Sequence, residues 1–281
     1  MTGLVLEGGG HRGIYTAGVL DVFIENKIMV DGVIGVSAGA IHGASFVAGQ
    51  VGRSVRYTEK YCNNKDYMSF YSLLKTGDLF NEDFCYRLLP EQLDPFDNIG
   101  FEKASIPYYT VCTDVNTGKA VYHQCKSLRG EEMKWLQASA SMPLVARNVE
   151  IDGQLLLDGG IADSIPVKKF QEMGFEKNIV VLTQEEGYVK KPNKMIHVIS
   201  MKYKKYPEFV ESVKNRHNVY NESTEYLKNL EIAGNALVIR PSQKPMASRL
   251  EKDPAKIRLT YELGRRDALN ALHEIRVFLN S

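Results

Sequence analysis

A chain of 281 residues with 44% hydrophobic and 25% charged side chains can bury a full globular core, as one large domain or one domain with a small addition. Its 35 basic and 34 acidic residues leave a formal net charge of +1, which excludes the whole-protein basic field that non-specific nucleic-acid binding uses. Cys62, Cys85, Cys112 and Cys125 form no Cys-x-x-Cys pair and no Cys/His cluster with zinc spacing, so reduced thiols, no metal and a cytoplasmic setting are expected.

The first residues set Glu7 and Arg12 among glycines, where a secretory leader needs an uninterrupted apolar run. Leu4-Val5-Leu6 predicts a short buried strand, followed by a glycine loop. Ile14, Ala17, Leu20 and Ile24 recur at helical spacing and predict a helix over 14–26. Val33 to Val36 predicts a second strand, and Ala38 to Ala48 a glycine- and alanine-rich helix able to lie close on a sheet. The uncharged run from Gly32 to Gly52 is long enough to span a bilayer, but its glycines and strand-like start fit a buried strand–helix unit instead. This repeated strand–turn–helix order predicts an α/β fold, a three-layer α/β/α sandwich with a mainly parallel central sheet.

From Arg53 to Ser105 the expectation is irregular helices covering one side of that sheet. Tyr108–Thr113 and Lys119–His123 read as a hairpin across Asn116-Thr117-Gly118, and a helix is expected around Arg129–Ser139. Val149–Ile151 and Leu155–Leu157 flank Asp152-Gly153, a second hairpin. Pro166–Met173 predicts a helix with proline in its first turn and Gly174 beyond its end. Asn178–Thr183 and Met195–Ile199 are expected strands, Pro207–Ile232 a long polar helix, Leu237–Ile239 a strand, and Asp253-Pro254 the start of a last helix. The chain thus divides into a principal domain over 1–200 and a mainly helical extension over 201–281. In Met201–Phe209, Tyr203, Tyr206 and Phe209 interleave with Lys202, Lys204 and Lys205. A solvated linker and a segment in peripheral contact with a membrane share that pattern.

Three motifs carry chemistry. Gly8-Gly9-Gly10-His11-Arg12-Gly13 lies between the first strand and first helix, where unobstructed amides and a helix N-terminus can hold an anion. It also satisfies the dinucleotide fingerprint, which keeps a nucleotide-binding oxidoreductase as an alternative. Asp31, the acidic residue at the right distance, precedes the second strand where a ribose partner should end it.

Gly35-Val36-Ser37-Ala38-Gly39 is a Gly-x-Ser-x-Gly sequence at a predicted strand-to-helix turn, the context of an exposed nucleophilic serine; a capping serine between packing glycines is the plain alternative. His197, His217 and His273 follow Ser37, so chain order permits a triad, yet none sits in a small-residue loop after a strand. Leu155-Leu156-Leu157-Asp158-Gly159-Gly160 brings a carboxylate out of the core at the end of an apolar strand, although Asp-Gly alone is an ordinary turn.

Together with Ala138-Ser139-Ala140-Ser141-Met142-Pro143 and Pro166, these blocks resemble the patatin-like phospholipases, in particular short bacterial members with an extra C-terminal segment. The blocks in order span residues 3–167. The resemblance implies a serine acyl hydrolase acting on lipid or other acyl esters, with Ser37 as nucleophile and Asp158 as its base. It implies an oxyanion hole from the amides of Gly9, Gly10 and Ala38, supported by Gly8, Arg12, Gly13, Gly35, Gly39, Gly159 and Gly160, and no cofactor. A catalytically idle binding protein of the same fold is the third reading. A fluorophosphonate separates the first from the others by labelling an activated Ser37.

Overall fold

The computed structural model describes residues 1–280. In chain order its strands are β1 (Thr2–Leu6), β2 (Gly32–Val36), β3 (Tyr108–Asp114), β4 (Ala120–Gln124), β5 (Val149–Ile151), β6 (Gln154–Asp158), β7 (Lys177–Val181) and β8 (Ala236–Ile239). The α-helices are α1 (Ile14–Glu25), α2 (Ala38–Val47), α3 (Arg53–Tyr61), α4 (Phe70–Thr76), α5 (Asn98–Lys103), α6 (Met133–Ser139), α7 (Val167–Glu172), α8 (Ile196–Lys202), α9 (Pro207–Ile232) and α10 (Pro254–Asn280).

Strands β8, β7, β1, β2 and β3 lie side by side and parallel. Successive strand residues point to opposite faces, so each apolar strand feeds two cores. Leu4, Leu6 and Val33 pack under α1, α2 and α10, with Tyr15, Ala44 and Ile275. Val5, Ile34 and Val180 pack on the other face with Phe170 of α7 and Tyr220 and Leu227 of α9. Helices therefore cover both faces, giving the expected three layers. The Arg53–Ser105 stretch is α3, α4, a π-helical segment Phe84–Leu93 with Pro90 inside it, and α5.

The register at β3 positions the site. Val111 pairs with Val36 of β2 and also with Tyr122 of β4. Its neighbour Cys112 pairs with Val121 of β4 and with Asp158 of β6. A strand has two edges, so β4 holds one of them while β2 and β6 follow one another along the other. Strand β2 arrives parallel and stops at Val36; β6 arrives antiparallel and stops at Asp158. The two strand ends meet.

Two expectations need comment. Met195–Ile199, expected as a strand, instead leads into α8, because Ile196, Ile199 and Tyr203 are spaced to face inward from a helix and pack on Phe209 and Leu157. A short apolar run does not distinguish the two periods. In Met201–Phe209, the Tyr203 and Phe209 rings are buried in that same cluster, leaving the lysines and Met201 at the surface.

The region beyond residue 200 enters the sheet as well as the helical layers. β8 extends it beside β7, and α10 crosses α1 at Gly18 and Gly264. A Cβ on Gly18 would lie 2.1 Å from Tyr261 O, and one on Gly264 would lie 2.0 Å from Tyr15 O. No helix of the described residues is long and apolar enough to cross a membrane.

Candidate active site

Ser37 joins β2 to α2 with φ 55° and ψ −123°, a left-handed backbone that a non-glycine residue adopts only where its surroundings impose it. Its N–H donates to Ser139 Oγ at 2.9 Å, and the Ser139 hydroxyl donates onward to Val111 O at 2.7 Å. The glycine loop presses against this turn: a Cβ on Gly8 would fall 2.8 Å from Ser37 Cβ. Gly39 allows α2 to start directly over β1, since a Cβ there would lie 2.4 Å from Leu6 O. Ala38 occupies the first turn of α2, where geometry leaves the N–H without an intrahelical acceptor.

Asp158 closes β6 and is buried at 5% exposure. Its N–H donates to Ser141 O at 2.8 Å, and its Oδ1 accepts the Gly160 N–H at 2.8 Å. Burial pushes its carboxyl above the ordinary carboxylate range. The Arg216 charge, the Ser37 hydroxyl and the Gly160 N–H pull it back in part. The Ala138–Pro143 block therefore touches both principal residues, Ser37 through Ser139 and Asp158 through Ser141.

In the glycine loop Gly10 has φ +58°, and a Cβ on it would lie 2.5 Å from Arg249 O. That same carbonyl accepts the His11 N–H at 3.0 Å, while His11 Nδ1–H donates to Glu251 O at 2.6 Å. The loop before α10 thus clamps the glycine loop from outside. On the inner side Thr183 Oγ1 lies 3.0 Å from Glu7 Oε2, 3.0 Å from Gly8 O and 3.3 Å from Arg12 Nη2. The amides of Gly9 and Gly10 have no acceptor among the described residues.

The family model for patatin-like phospholipase matches residues 4–170, more than half of the chain. The chain belongs to the patatin-like phospholipase family. A second model, a domain of unknown function (DUF6363), matches residues 206–280. The uncharacterized protein YjjU of Escherichia coli (strain K12) is 30% identical over 189 residues, covering 64% of this chain and 51% of its own length. Neuropathy target esterase sws of Drosophila melanogaster is 30% identical over 177 residues, covering 61% of this chain and 12% of its own. Among solved structures, VipD from Legionella pneumophila covers 96% of this chain and 67% of its own at 11% identity and a TM-score of 0.46. The chain spans about half the length of YjjU and a small part of the esterase. Family membership places it with lipid acyl hydrolases at the level of the family.

In this patatin-like chain Ser37 stands between two unlike compartments. One is an apolar cavity that Ser37 and Ala38 share with Ile14, Ile41, Phe80 and Leu89. His11 and His42 also line it, and burial lowers the pKa of both, His42 to about 3, so each is neutral at physiological pH. The other is polar and brings Arg12, Lys190, Arg216 and Arg249 together with Glu7 and Asp158.

The three histidines weighed from the sequence lie elsewhere. His197 and His273 are exposed, and His217 Nδ1–H donates to Lys214 O at 2.9 Å on α9. The histidines that share a cavity with Ser37 are His11 and His42. A sequence signal for His42 existed in its position five residues into the elbow helix. Asp31 accepts the Thr2 N–H at 2.6 Å, at the opposite end of β1 from the glycine loop, which leaves a dinucleotide ribose without its partner.

Folding also assembles His123, Cys125 and Glu132, whose ligand atoms lie within 4.8 Å of one another. Burial pushes the Cys125 thiol up to about 12, and the His123 ring stacks on Trp135 at 3.9 Å. A packed aromatic pair with a protonated thiol accounts for this cluster.

Proposed function

We propose that this protein is a lipid acyl hydrolase working through Ser37 and Asp158 without histidine. The observation that carries the reading is the meeting of β2 and β6 along one edge of β3, which turns the strained Ser37 toward a buried carboxylate. Asp158 takes the hydroxyl proton as Ser37 Oγ attacks the ester carbonyl, and the tetrahedral oxyanion forms against the amides of Gly9, Gly10 and Ala38. The acyl chain lies in the apolar cavity, where neutral His11 and His42 place no charge beside it. The protonated Asp158 then gives its proton to the leaving alcohol, and the same carboxylate activates the water that releases the acyl group.

The name of the Drosophila relative, an esterase, agrees with this chemistry. The test combines two measurements on the full chain: labelling by a fluorophosphonate, and release of fatty acid from a long-chain glycerol ester. Both should occur with the native protein and vanish in Ser37→Ala. Labelling or turnover that survives in Ser37→Ala would transfer the nucleophile to another residue.

A further inference from the structure

Three of the four cations in the polar compartment beside Asp158, namely Lys190, Arg216 and Arg249, come from outside the patatin-like segment. Arg216 and Tyr220 lie four residues apart on α9 and so share one helical face. Arg216 Nε donates to Gly160 O, which fixes its guanidinium against the Asp158 turn. Lys190 is held by its backbone: its N–H donates to Asn221 Oδ1 at 2.9 Å, and its carbonyl accepts Asn221 Nδ2–H at 3.1 Å. Its ammonium lies 3.9 Å from the centre of the Tyr220 ring. Arg249 comes from the loop whose carbonyl clamps His11. Arg12, from the glycine loop, completes the group.

Four cations therefore face a pocket that offers two carboxylates, Glu7 and Asp158. Among the described residues none of the four approaches a carboxylate oxygen within the 4.0 Å of an ion pair. Glu7 is already engaged, its Oε2 accepting the Thr183 N–H at 2.6 Å and facing the Thr183 hydroxyl at 3.0 Å. Arg12 Nε is buried without a hydrogen-bond partner. Burial, followed by the Arg216 charge, pushes Lys190 down to about 7, with Arg249 and Arg12 acting in the same direction and Glu7 against it. Such crowding of like charge, buried at Lys190 and open to solvent at Arg249, is relieved by loss of the Lys190 proton or by an anion placed among the cations.

We propose that Arg12, Lys190, Arg216 and Arg249 bind a phosphate monoester on the alcohol portion of the substrate, so that the enzyme selects acyl esters of phosphorylated alcohols. The inference rests on the Ser37–Asp158 reading and deepens it. The acyl chain enters the apolar cavity from one side of Ser37 and the phosphate sits on the other, with the scissile ester between them. A phosphate monoester carries a charge of nearly −2 at neutral pH, and its approach would hold the proton on Lys190, so that four cations against two carboxylates leave two positive charges to match it. A phosphocholine group, whose ammonium would meet the same cations, fits less well.

The experiment compares kcat/KM for three esters of one acyl chain: acylglycerol phosphate, acylglycerophosphocholine and uncharged monoacylglycerol. The native protein should prefer the phosphate monoester over the uncharged ester by tenfold or more. That ratio should fall at least tenfold in Lys190→Gln and in Arg249→Gln, each checked for folding by its melting temperature. Butyryl and dodecanoyl versions separate a soluble phosphate ester from a lipid: equal rates favour the former, a strong gain for dodecanoyl the latter.

A second arm needs no turnover. Inorganic phosphate should raise the melting temperature of Ser37→Ala protein, and Arg249→Gln added to it should abolish the rise. Cleavage of the uncharged ester with a ratio near one and no phosphate effect would overturn the anion site while leaving the acyl-hydrolase reading intact. Phosphate stabilisation without cleavage of any ester would do the reverse.

Discussion

Ser139 Oγ accepts a hydrogen bond from the Ser37 N–H at 2.9 Å and its hydroxyl donates to the Val111 carbonyl at 2.7 Å, bridging the strained turn to the central strand. The bridge is wholly buried, with Ser139 at 0% exposure. It supplies the partner that a left-handed residue at the end of β2 would otherwise lack.

Ser139→Ala should therefore weaken both fold and turnover. It strands a buried donor and a buried acceptor, a loss of roughly 1–3 kcal/mol for such groups. Turnover of a lipid ester should drop about tenfold or more as Ser37 relaxes, with KM little changed, since misplacement by a fraction of an ångström already slows a positioned reaction. A native kcat together with a lowered melting temperature would show that the backbone alone holds the turn.

Removal of the reacting groups should be far more severe. Ser37→Ala and Asp158→Asn are each expected to lower kcat by a factor on the order of 10⁴ or more, by analogy with loss of a nucleophile or its base elsewhere. His11→Gln and His42→Gln are the informative controls, because these are the histidines sharing a cavity with Ser37. Both should retain most of the turnover. A folded His11 or His42 variant that is inactive assigns the proton to that imidazole instead of Asp158.

The raised pKa of Asp158 fixes two pH effects. As a base it acts only when ionised, so kcat/KM should rise with pH through an inflection above the ordinary carboxylate value of about 3.9. Removing the Arg216 charge takes away the largest influence opposing burial, so Arg216→Gln should move that inflection to higher pH. For stability the sign is opposite: a folded-state pKa above the unfolded one stabilises at low pH and is lost as pH rises through the folded value. Asp158→Asn, which cannot ionise, should then melt at or above the native temperature at pH 7 to 8. A lower melting temperature at that pH would mean that its bond to Gly160 and its attraction to the Arg216 charge outweigh its burial.

The two loop glycines should respond differently to alanine. Gly9 lies outside the left-handed region, with φ −178° and ψ 6°, and a Cβ there would meet Thr183 Oγ1 at 3.0 Å. Gly10 is left-handed and faces the Arg249 carbonyl. Gly9→Ala is therefore the cleaner probe of the proposed oxyanion hole, with kcat expected to fall about 10²-fold, the effect of losing one donor. Gly10→Ala should lower the melting temperature as well. Native kcat in Gly9→Ala would remove this amide from the mechanism.

Much of this arrangement was legible in the chain because its signals are local. Glycine spacing around Ser37 predicts a sharp turn, and three leucines before Asp158 predict a buried strand with an acid at its end. Most strands along the chain and both hairpins follow from period and turn residues. The convergence of Ser37 with Asp158 was not legible from periodicity, because it depends on two strands sharing one edge of β3, a pairing between residues far apart in sequence. Lys190, Arg216 and Arg249 were invisible for a similar reason. Each looks like an ordinary surface cation until α9 and the loop before α10 fold back over the glycine loop. Met195–Ile199 failed because five apolar-rich residues suit either period.

The crossing of α1 and α10 at Gly18 and Gly264 reaches beyond stability. Each helix lays its bare backbone against a carbonyl of the other, a contact that tolerates not even a methyl group on either side. A graft of residues 4–170 onto another C-terminal partner would arrive with a notch cut for a helix that is no longer there. The reverse graft would present Gly264 to a helix that has filled its own notch. The two stretches are therefore cut to fit one another, and a change at either glycine has to be answered on the opposite helix.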